Sequence, residues 1–415
     1  MARIGILTEG MAQWQGGVDF LSFLCDCLQI SFADRSVALL PLFPRTPVRE
    51  AVHKATSPWR QWLAESVQHG RLLPWREILR EQMDRSSLRQ LARIRDVMGS
   101  AQPVLRFCGD EELATLARAE KLDCLLPAFR PLAGCVATPW LGYLYDFQHR
   151  HLPHLFRAEE RAGRDAHFAA MARQARYVLV NSRAVADDCR RFLGPGGATF
   201  VPLPFGAAPK PDWFADEPGR LAKYGLPERY FLVSNQFWTH KNHRVVFEAL
   251  RLLGPTAGVA VVCTGSTLDA RDRGYFPSLR RFLDESGISS RVRILDCIPK
   301  RDQIEIMKRA IAVVQPTLSE GGPGGGAVYD AVSLGVPALV SDIPVNRELE
   351  GQGLEIQFFE PSRADALAAL MLDHARNPRR QRKDAATLLA EGRQRRRAVG
   401  AVLLETMRAA GAALP

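Results

Sequence analysis

The chain has 415 residues, of which 47% are hydrophobic and 24% charged, with a formal net charge of +10. At ~100–200 residues per domain this length predicts two domains with large buried cores. No apolar run reaches the ~18 residues of a membrane-spanning helix, and the positive balance favours acidic partners, whether nucleic acid, anionic lipid or phosphorylated small molecules.

In chain order, Arg3–Thr8 is a short apolar run that predicts a first buried strand. Met1–Gly10 lacks the basic start, apolar run and cleavage site of a signal peptide, so a cytoplasmic protein is expected. A loop with Gly16 and Gly17 follows, then a helical pattern over Val18–Ile30 and a strand over Ser36–Phe43. Pro47–Arg95 reads as mixed and mostly helical. Val104–Phe107, Cys124–Pro127 and Ala137–Tyr145 are further short apolar runs, separated by helix-like segments. Phe156–Arg176 predicts a long polar helix, Tyr177–Val180 a strand, Asn181-Ser182 the start of another helix, and Ala198–Pro202 the last strand of this half.

Leu203–Arg229 is rich in Pro and Gly, as a linker between domains is. The alternation then restarts. Strands are predicted at Tyr230–Ser234, Gly258–Thr264, Arg291–Leu295, Ile311–Gln315 and Ala338–Ser341, with helices at Arg244–Leu253, Arg301–Ala310 and Ala327–Leu334. Such alternation implies an α/β chain with two doubly wound parallel sheets. The expected division is 1–205, 206–385 and a closing segment, 386–415, with Ala385–Leu414 as a helix.

The eight cysteines are scattered, and the close pair Cys25 and Cys27 suits neither a zinc site nor a redox pair. Reduced thiols are the plain reading. Arginine-rich runs at Arg376–Lys383 and Arg393–Arg397 read as a solvated helix face or, less simply, a membrane patch. No helix-turn-helix, RNP motif or zinc finger is present, so no nucleic-acid partner is expected.

The strongest segment is Gln315–Arg347, QPTLSEGGPGGGAVYDAVSLGVPALVSDIPVNR. A strand ends, Glu320 follows, and Gly321, Gly322, Gly324, Gly325 and Gly326 lead into a helix carrying Asp330. Glycines let backbone approach a ligand, and a helix N-terminus suits phosphate oxygens. The segment resembles the donor-binding signature of family 4 of the glycosyltransferases: acidic residue, glycine loop, acidic residue on a helix, then Gly-x-Pro. Glu320 and Asp330 match the two acidic places. They enclose nine residues where the family usually has seven, and Asp stands where Glu is usual.

That resemblance implies the GT-B fold, two Rossmann-like domains facing across a cleft, and retaining transfer from a nucleotide diphosphate sugar. Asn235–His243 resembles the second phosphate-binding element: Lys241 matches its lysine, while Gln236 replaces its usual arginine. Asn235 and Gly265 belong to the donor-binding set, and Gly16 and Gly17 resemble the acceptor-side loop. Tyr145–Phe156 resembles the segment lining the cleft from the first domain, with Asp146 or His149 contacting the sugar or the incoming hydroxyl.

Of the three histidines there, His149, His151 and His154, none has the spacing of a helical zinc pair. With no Asp-x-Asp in the chain, neither a metal nor another cofactor is expected. The partners implied are a GDP- or UDP-sugar, a glycan or lipid-linked acceptor in cell-envelope polysaccharide synthesis, and an anionic membrane surface on the inner face. Two other functions use the same elements: a GT-B epimerase or phosphorylase, and a non-catalytic nucleotide-sugar-binding subunit.

Overall fold

The computed structural model describes residues 1–11, 15–32, 37–45, 92, 94, 104–215, 217, 219–269, 271–377 and 383–414. The expected helical stretch Pro47–Arg95, apart from the helical Ala92 and Ile94, and most of the Arg376–Lys383 run lie outside them.

The first half contributes β1 (Ala2–Leu7), β2 (Val37–Pro44), β3 (Leu105–Phe107), β4 (Cys124–Ala128), β5 (Trp140–Leu144), β6 (Tyr177–Val180) and β7 (Thr199–Pro202). They form a parallel sheet in the order β3-β2-β1-β4-β5-β6-β7. Helices cover both faces, which is why the strands are apolar throughout instead of alternating; β4 is buried at every position. These helices are α1 (Gln15–Ser31), α2 (Gly109–Ala119), α3 (Gln148–His151), α4 (Ala158–Gln174) and α5 (Arg183–Leu193). Leu21, Leu24 and Leu28 of α1 pack with Ile4, Ile6 and Leu126, and Leu113 and Ala117 of α2 pack with Leu40, Leu42 and Leu125.

The second half repeats the plan. Strands β8 (Tyr230–Ser234), β9 (Ala260–Thr264), β10 (Val292–Ile294), β11 (Val313–Gln315), β12 (Ala338–Ser341) and β13 (Ile356–Phe359) are parallel in the order β10-β9-β8-β11-β12-β13. Helices α6 (His243–Leu253), α7 (Tyr275–Glu285), α8 (Lys300–Arg309), α9 (Gly325–Ser333), α10 (Pro344–Arg347) and α11 (Ala364–Arg376) accompany them. Strand order reverses between β1 and β4 in one sheet and between β8 and β11 in the other. Open α/β sheets bind ligands outside the strand carboxyl ends at such switch points.

The last helix, α12 (Ala385–Ala409), returns to the first half, where Val399, Leu403 and Met407 join the core under α1. Gly400 makes this crossing possible: a Cβ there would sit 1.7 Å from Ser31 Oγ. The arginine run on α12 is split by this packing. Arg393 and Arg397 are exposed, but Arg396 donates to Gly206 O at 2.8 Å and to Asp26 at 3.1 Å, and Arg395 to Ala207 O at 3.3 Å. The expected solvated face is therefore half a structural tie.

The Pro- and Gly-rich Leu203–Arg229 segment also departs from a slack linker. Trp213 is buried, Lys308 Nζ donates to Trp213 O at 2.9 Å, and Arg220 pairs with Asp302 at 2.7 Å. Its aromatic and charged side chains find partners on α8, which straps the segment to the second sheet. No helix among the described residues is long and apolar enough to cross a membrane.

Candidate functional site

The β8/β11 switch point gathers the chemistry. After β8, the chain makes a 3-10 turn at Thr239–Lys241, and Asn242 in the left-handed region (φ 51) opens α6. After β11, the chain runs through Glu320 and the glycines into α9. The two loops are tied together where Leu318 N donates to His240 O at 2.8 Å. This brings the Lys241 ammonium onto the Glu320 carboxylate, with both side chains largely buried. Gln315 Nε2 donates to the same carboxylate oxygen at 3.0 Å, and Asn235 Nδ2 donates to Gln315 Oε1 at 2.5 Å. A chain of polar side chains therefore fixes Glu320 from the strand ends.

The glycines have specific geometric reasons. Gly325 has φ +60, and a Cβ there would lie 3.1 Å from both Gln315 Nε2 and the Glu320 carboxylate, so glycine lets α9 begin against that group. Gly324, also left-handed, is the N-cap of α9 and leaves the helix start without a side-chain cap. Its own N–H is taken by Asn346 Oδ1 at 2.7 Å. An uncapped helix N-terminus beside an ammonium is a site for an anion. Gly326 faces open space, and Gly322 lies against Asn181. Gly265 seats the β8 loop, since a Cβ there would meet Asn235 O at 2.3 Å. Gln236 is partly buried beside this contact.

At the other end of the glycine loop, Asp330 is buried on α9 and its carboxylate is paired with Lys300, the first residue of α8. Burial pushes the Asp330 carboxyl above the usual range, against the opposing charges of Lys300 and Lys210; Asp19, on α1, adds to the rise. At the start of α1, Gly16 is exposed and Gly17 buried. Gly17 must be glycine, because a Cβ would meet Met11 O at 2.3 Å.

The first half closes on this loop. A Cβ on Gly321 would lie 2.0 Å from Tyr145 O and 3.4 Å from the Asp146 Cβ. Asp146 is held by Arg164 Nη2 at 2.9 Å and by Gln148 N at 3.0 Å. Ser182 Oγ donates to Gly321 O at 2.8 Å. Between the halves lies a cavity of ≈ 260 Å³, with His154 and Phe156 on one wall and Thr239, His240, Asp269 and Arg271 on the other. Burial drives the His240 pKa to about 2, so its ring is neutral at pH 7.

The three neighbouring histidines go to three places. His149 has no exposed side-chain surface; its Nε2 donates to Asp165 at 2.9 Å, and Phe147, Phe156 and Phe168 surround it. The His149 ring is thus packed inside the first domain, while Asp146 stands against the Gly321 loop. His151 pairs with Asp188 at 2.6 Å, and His154 lines the cavity. Among the described residues no three His, Cys, Asp or Glu are grouped to hold a metal ion.

Solved structures match over nearly the full length. HepE of Anabaena in complex with UDP is 13% identical with a TM-score of 0.62, covering 99% of this chain and 100% of that one. A glycosyltransferase from Rickettsia africae is 11% identical with a TM-score of 0.61, covering 99% and 98%. Sucrose-phosphate synthase from Thermosynechococcus elongatus is 14% identical with a TM-score of 0.55, covering 99% and 98%.

The fold is GT-B.

Residues 222–388 match the family model described as glycosyl transferases group 1. That span holds Lys241, Gly265, Lys300, Glu320, the glycine loop and Asp330; Gly16, Gly17 and Asp146 fall outside it. No curated protein matched by sequence. Sequence reasoning assigned no part to Gln315, Lys300, Ser182 or Asn346. A polar residue closing an apolar strand was the available signal for Gln315. For the others, whose partners lie 22 to 139 residues away, no local pattern existed.

Proposed function

We propose that this chain transfers a sugar from a nucleotide diphosphate sugar to a hydroxyl of a glycan or lipid-linked acceptor, with retention and without a metal ion. The observation that carries this reading is the Lys241–Glu320 pair set against the uncapped N-terminus of α9 at a GT-B switch point. Breaking the anomeric C–O bond builds negative charge on the departing diphosphate. The Lys241 ammonium, exchanging Glu320 for the diphosphate, and the α9 N–H groups stabilise that charge. Glu320, freed of Lys241 by the diphosphate, accepts hydrogen bonds from the donor sugar. Asp330 accepts from the ribose hydroxyls, and Asp146 contacts the sugar or the incoming hydroxyl from the first domain.

The acceptor oxygen attacks from the face the diphosphate leaves. Its proton passes to a diphosphate oxygen, so no protein nucleophile is required. The UDP and UDP-glucose complexes of HepE support uridine as the base, with guanosine as the other option. The net charge of +10 supports work beside an anionic membrane face on the cytoplasmic side, the place of cell-envelope polysaccharide synthesis.

The test is a thermal-shift series with UDP, GDP and their sugar conjugates. A ligand at a hundred times its Kd adds about 2.7 kcal/mol to stability. A shift with a nucleotide diphosphate, followed by metal-free transfer in EDTA, is the expected result. No shift with any of them sinks the reading, and a rearranged nucleotide sugar formed without acceptor replaces it with an epimerase.

A further inference from the structure

The glycine loop carries a carboxylate at each end, and each carboxylate holds a lysine: Lys241 on Glu320, Lys300 on Asp330. The two lysines arrive from different strands, one central and one at the sheet edge. Lys241 follows β8, while Lys300 opens α8 after β10 and has its ammonium 5.9 Å from the centre of the Trp213 ring. Their surroundings differ as well. The Lys241 side chain is 14% exposed, whereas that of Lys300 is 49% exposed, although its partner Asp330 is buried. The β8 loop offers Lys241 and the neutral Gln236 to a ligand that carries at least two negative charges. One positive charge is missing there.

We infer that Lys300 supplies the second cation for the donor diphosphate, moving from Asp330 to a phosphate oxygen when the nucleotide binds. This rests on the nucleotide diphosphate reading above. Asp330 lies five residues beyond Gly325, about 7.5 Å along the helix at 1.5 Å per residue. A four-carbon arm anchored beside Asp330 covers that span. The exchange keeps every group satisfied. Ribose hydroxyls donate to the buried carboxylate as the ammonium leaves it, and the ammonium exchanges a carboxylate partner for a phosphate. Lys210, whose charge also acts on Asp330, keeps that carboxylate countered during the exchange.

The opposing account is that Lys300 only neutralises a buried carboxylate. Calorimetric titration with UDP and with uridine separates the two (GDP and guanosine if the wild type prefers them). Lys300→Ala is expected to weaken UDP on the order of tenfold, the scale of one charged hydrogen bond, and to leave uridine unchanged. Gln236→Arg added to Lys300→Ala restores UDP binding by returning the charge from the β8 side. Equal losses for UDP and uridine overturn the inference, as does an unaltered UDP affinity. If Lys300→Ala fails to fold, the same substitution in an Asp330→Asn background removes the unpaired carboxylate and keeps the comparison. A wild type that binds no nucleotide diphosphate overturns this inference and the reading beneath it together.

Discussion

The two switch points of this molecule share a strand order and differ in what their loops do with charge. In the first domain, Arg130 sits between two carboxylates, at 3.1 Å from Glu9 and 2.6 Å from Asp110. Asp110 also accepts from Ala133 N at 2.8 Å, and the Arg130 guanidinium holds its carboxyl below the usual range. Glu9, Asp110 and Arg130 thus satisfy one another within the domain. In the second domain, Lys241 and Glu320 pair beside a helix start that no side chain caps. The same topology thus gives one closed polar knot and one ion pair set against an open helix start. Topology marks the place for a ligand, and loop residues decide whether anything binds.

The sharpest way to break this contrast is to remove one cation from each crevice. Lys241→Ala is expected to lower kcat/KM by about 2–4 kcal/mol, the effect of losing one preorganised charged stabiliser. Arg130→Ala is expected to lower thermal stability while leaving nucleotide diphosphate affinity as it was. Steady-state kinetics and a melting curve on both variants suffice. Equal kinetic losses would mean that the first crevice also handles the diphosphate.

Within the open site, the two ends of the glycine loop are expected to separate. Glu320→Gln should depress kcat and spare diphosphate affinity, the pattern of an interaction made mainly in the transition state. Asp330→Asn should weaken diphosphate binding by about 1–3 kcal/mol, the cost of a buried polar group losing its partner. The same pattern in both variants would place the carboxylates in one role and undo the alignment of this loop.

How much of this was legible in the sequence follows from distance along the chain. The alternation of apolar runs and helical periods shows both sheets, because parallel strands buried on two faces leave uninterrupted apolar runs. Glycines and a flanking carboxylate advertise the open site, since each constraint acts within a few residues. The three neighbouring histidines could not be told apart by spacing, because their partners lie elsewhere in the chain. The turn at Leu152–Pro153 sends His149 inward to Asp165 and leaves His154 on the cavity wall. The arginines of α12 and the prolines before β8 looked like solvent-facing segments, and their partners lie up to 373 residues away.

Acid sharpens the comparison further. His240 and His243, both beside Lys241, are held neutral by burial, with pKa values driven to about 2 and about 3 from an ordinary 6.5. A group whose folded pKa is lowered contributes full stability above its unfolded value. That stability is lost as pH falls below about 6.5, because the unfolded chain binds the proton more readily. Hydrogen exchange at pH 7 and pH 5 should therefore show the β8–α6 region opening more at pH 5. His240→Gln should flatten part of that dependence. An identical slope in the variant would remove His240 from the account.

The smallest effect concerns how the two crevices are held face to face. Glu348 follows α10 in the second domain, and its carboxylate accepts from Arg183 N at 3.2 Å and Ala184 N at 2.8 Å, the first N–H groups of α5 in the first domain. Ser182 caps the same helix through Val185 N, and its hydroxyl donates to Gly321 O. One helix start is therefore capped from both domains, and one of its caps also holds the glycine loop. Bringing the domains together and setting the glycine loop become a single event. A carboxylate at a helix N-terminus contributes about 0.3–1 kcal/mol. Glu348→Gln keeps the shape and removes the charge, so the closed arrangement should weaken by that amount. The expected reading is a small rise in donor KM at constant kcat, with a slightly larger radius of gyration by solution scattering. Unchanged KM and unchanged radius would mean that the seam is held by the Ser182–Gly321 contact and the buried side chains around Phe205, with Glu348 only decorating it.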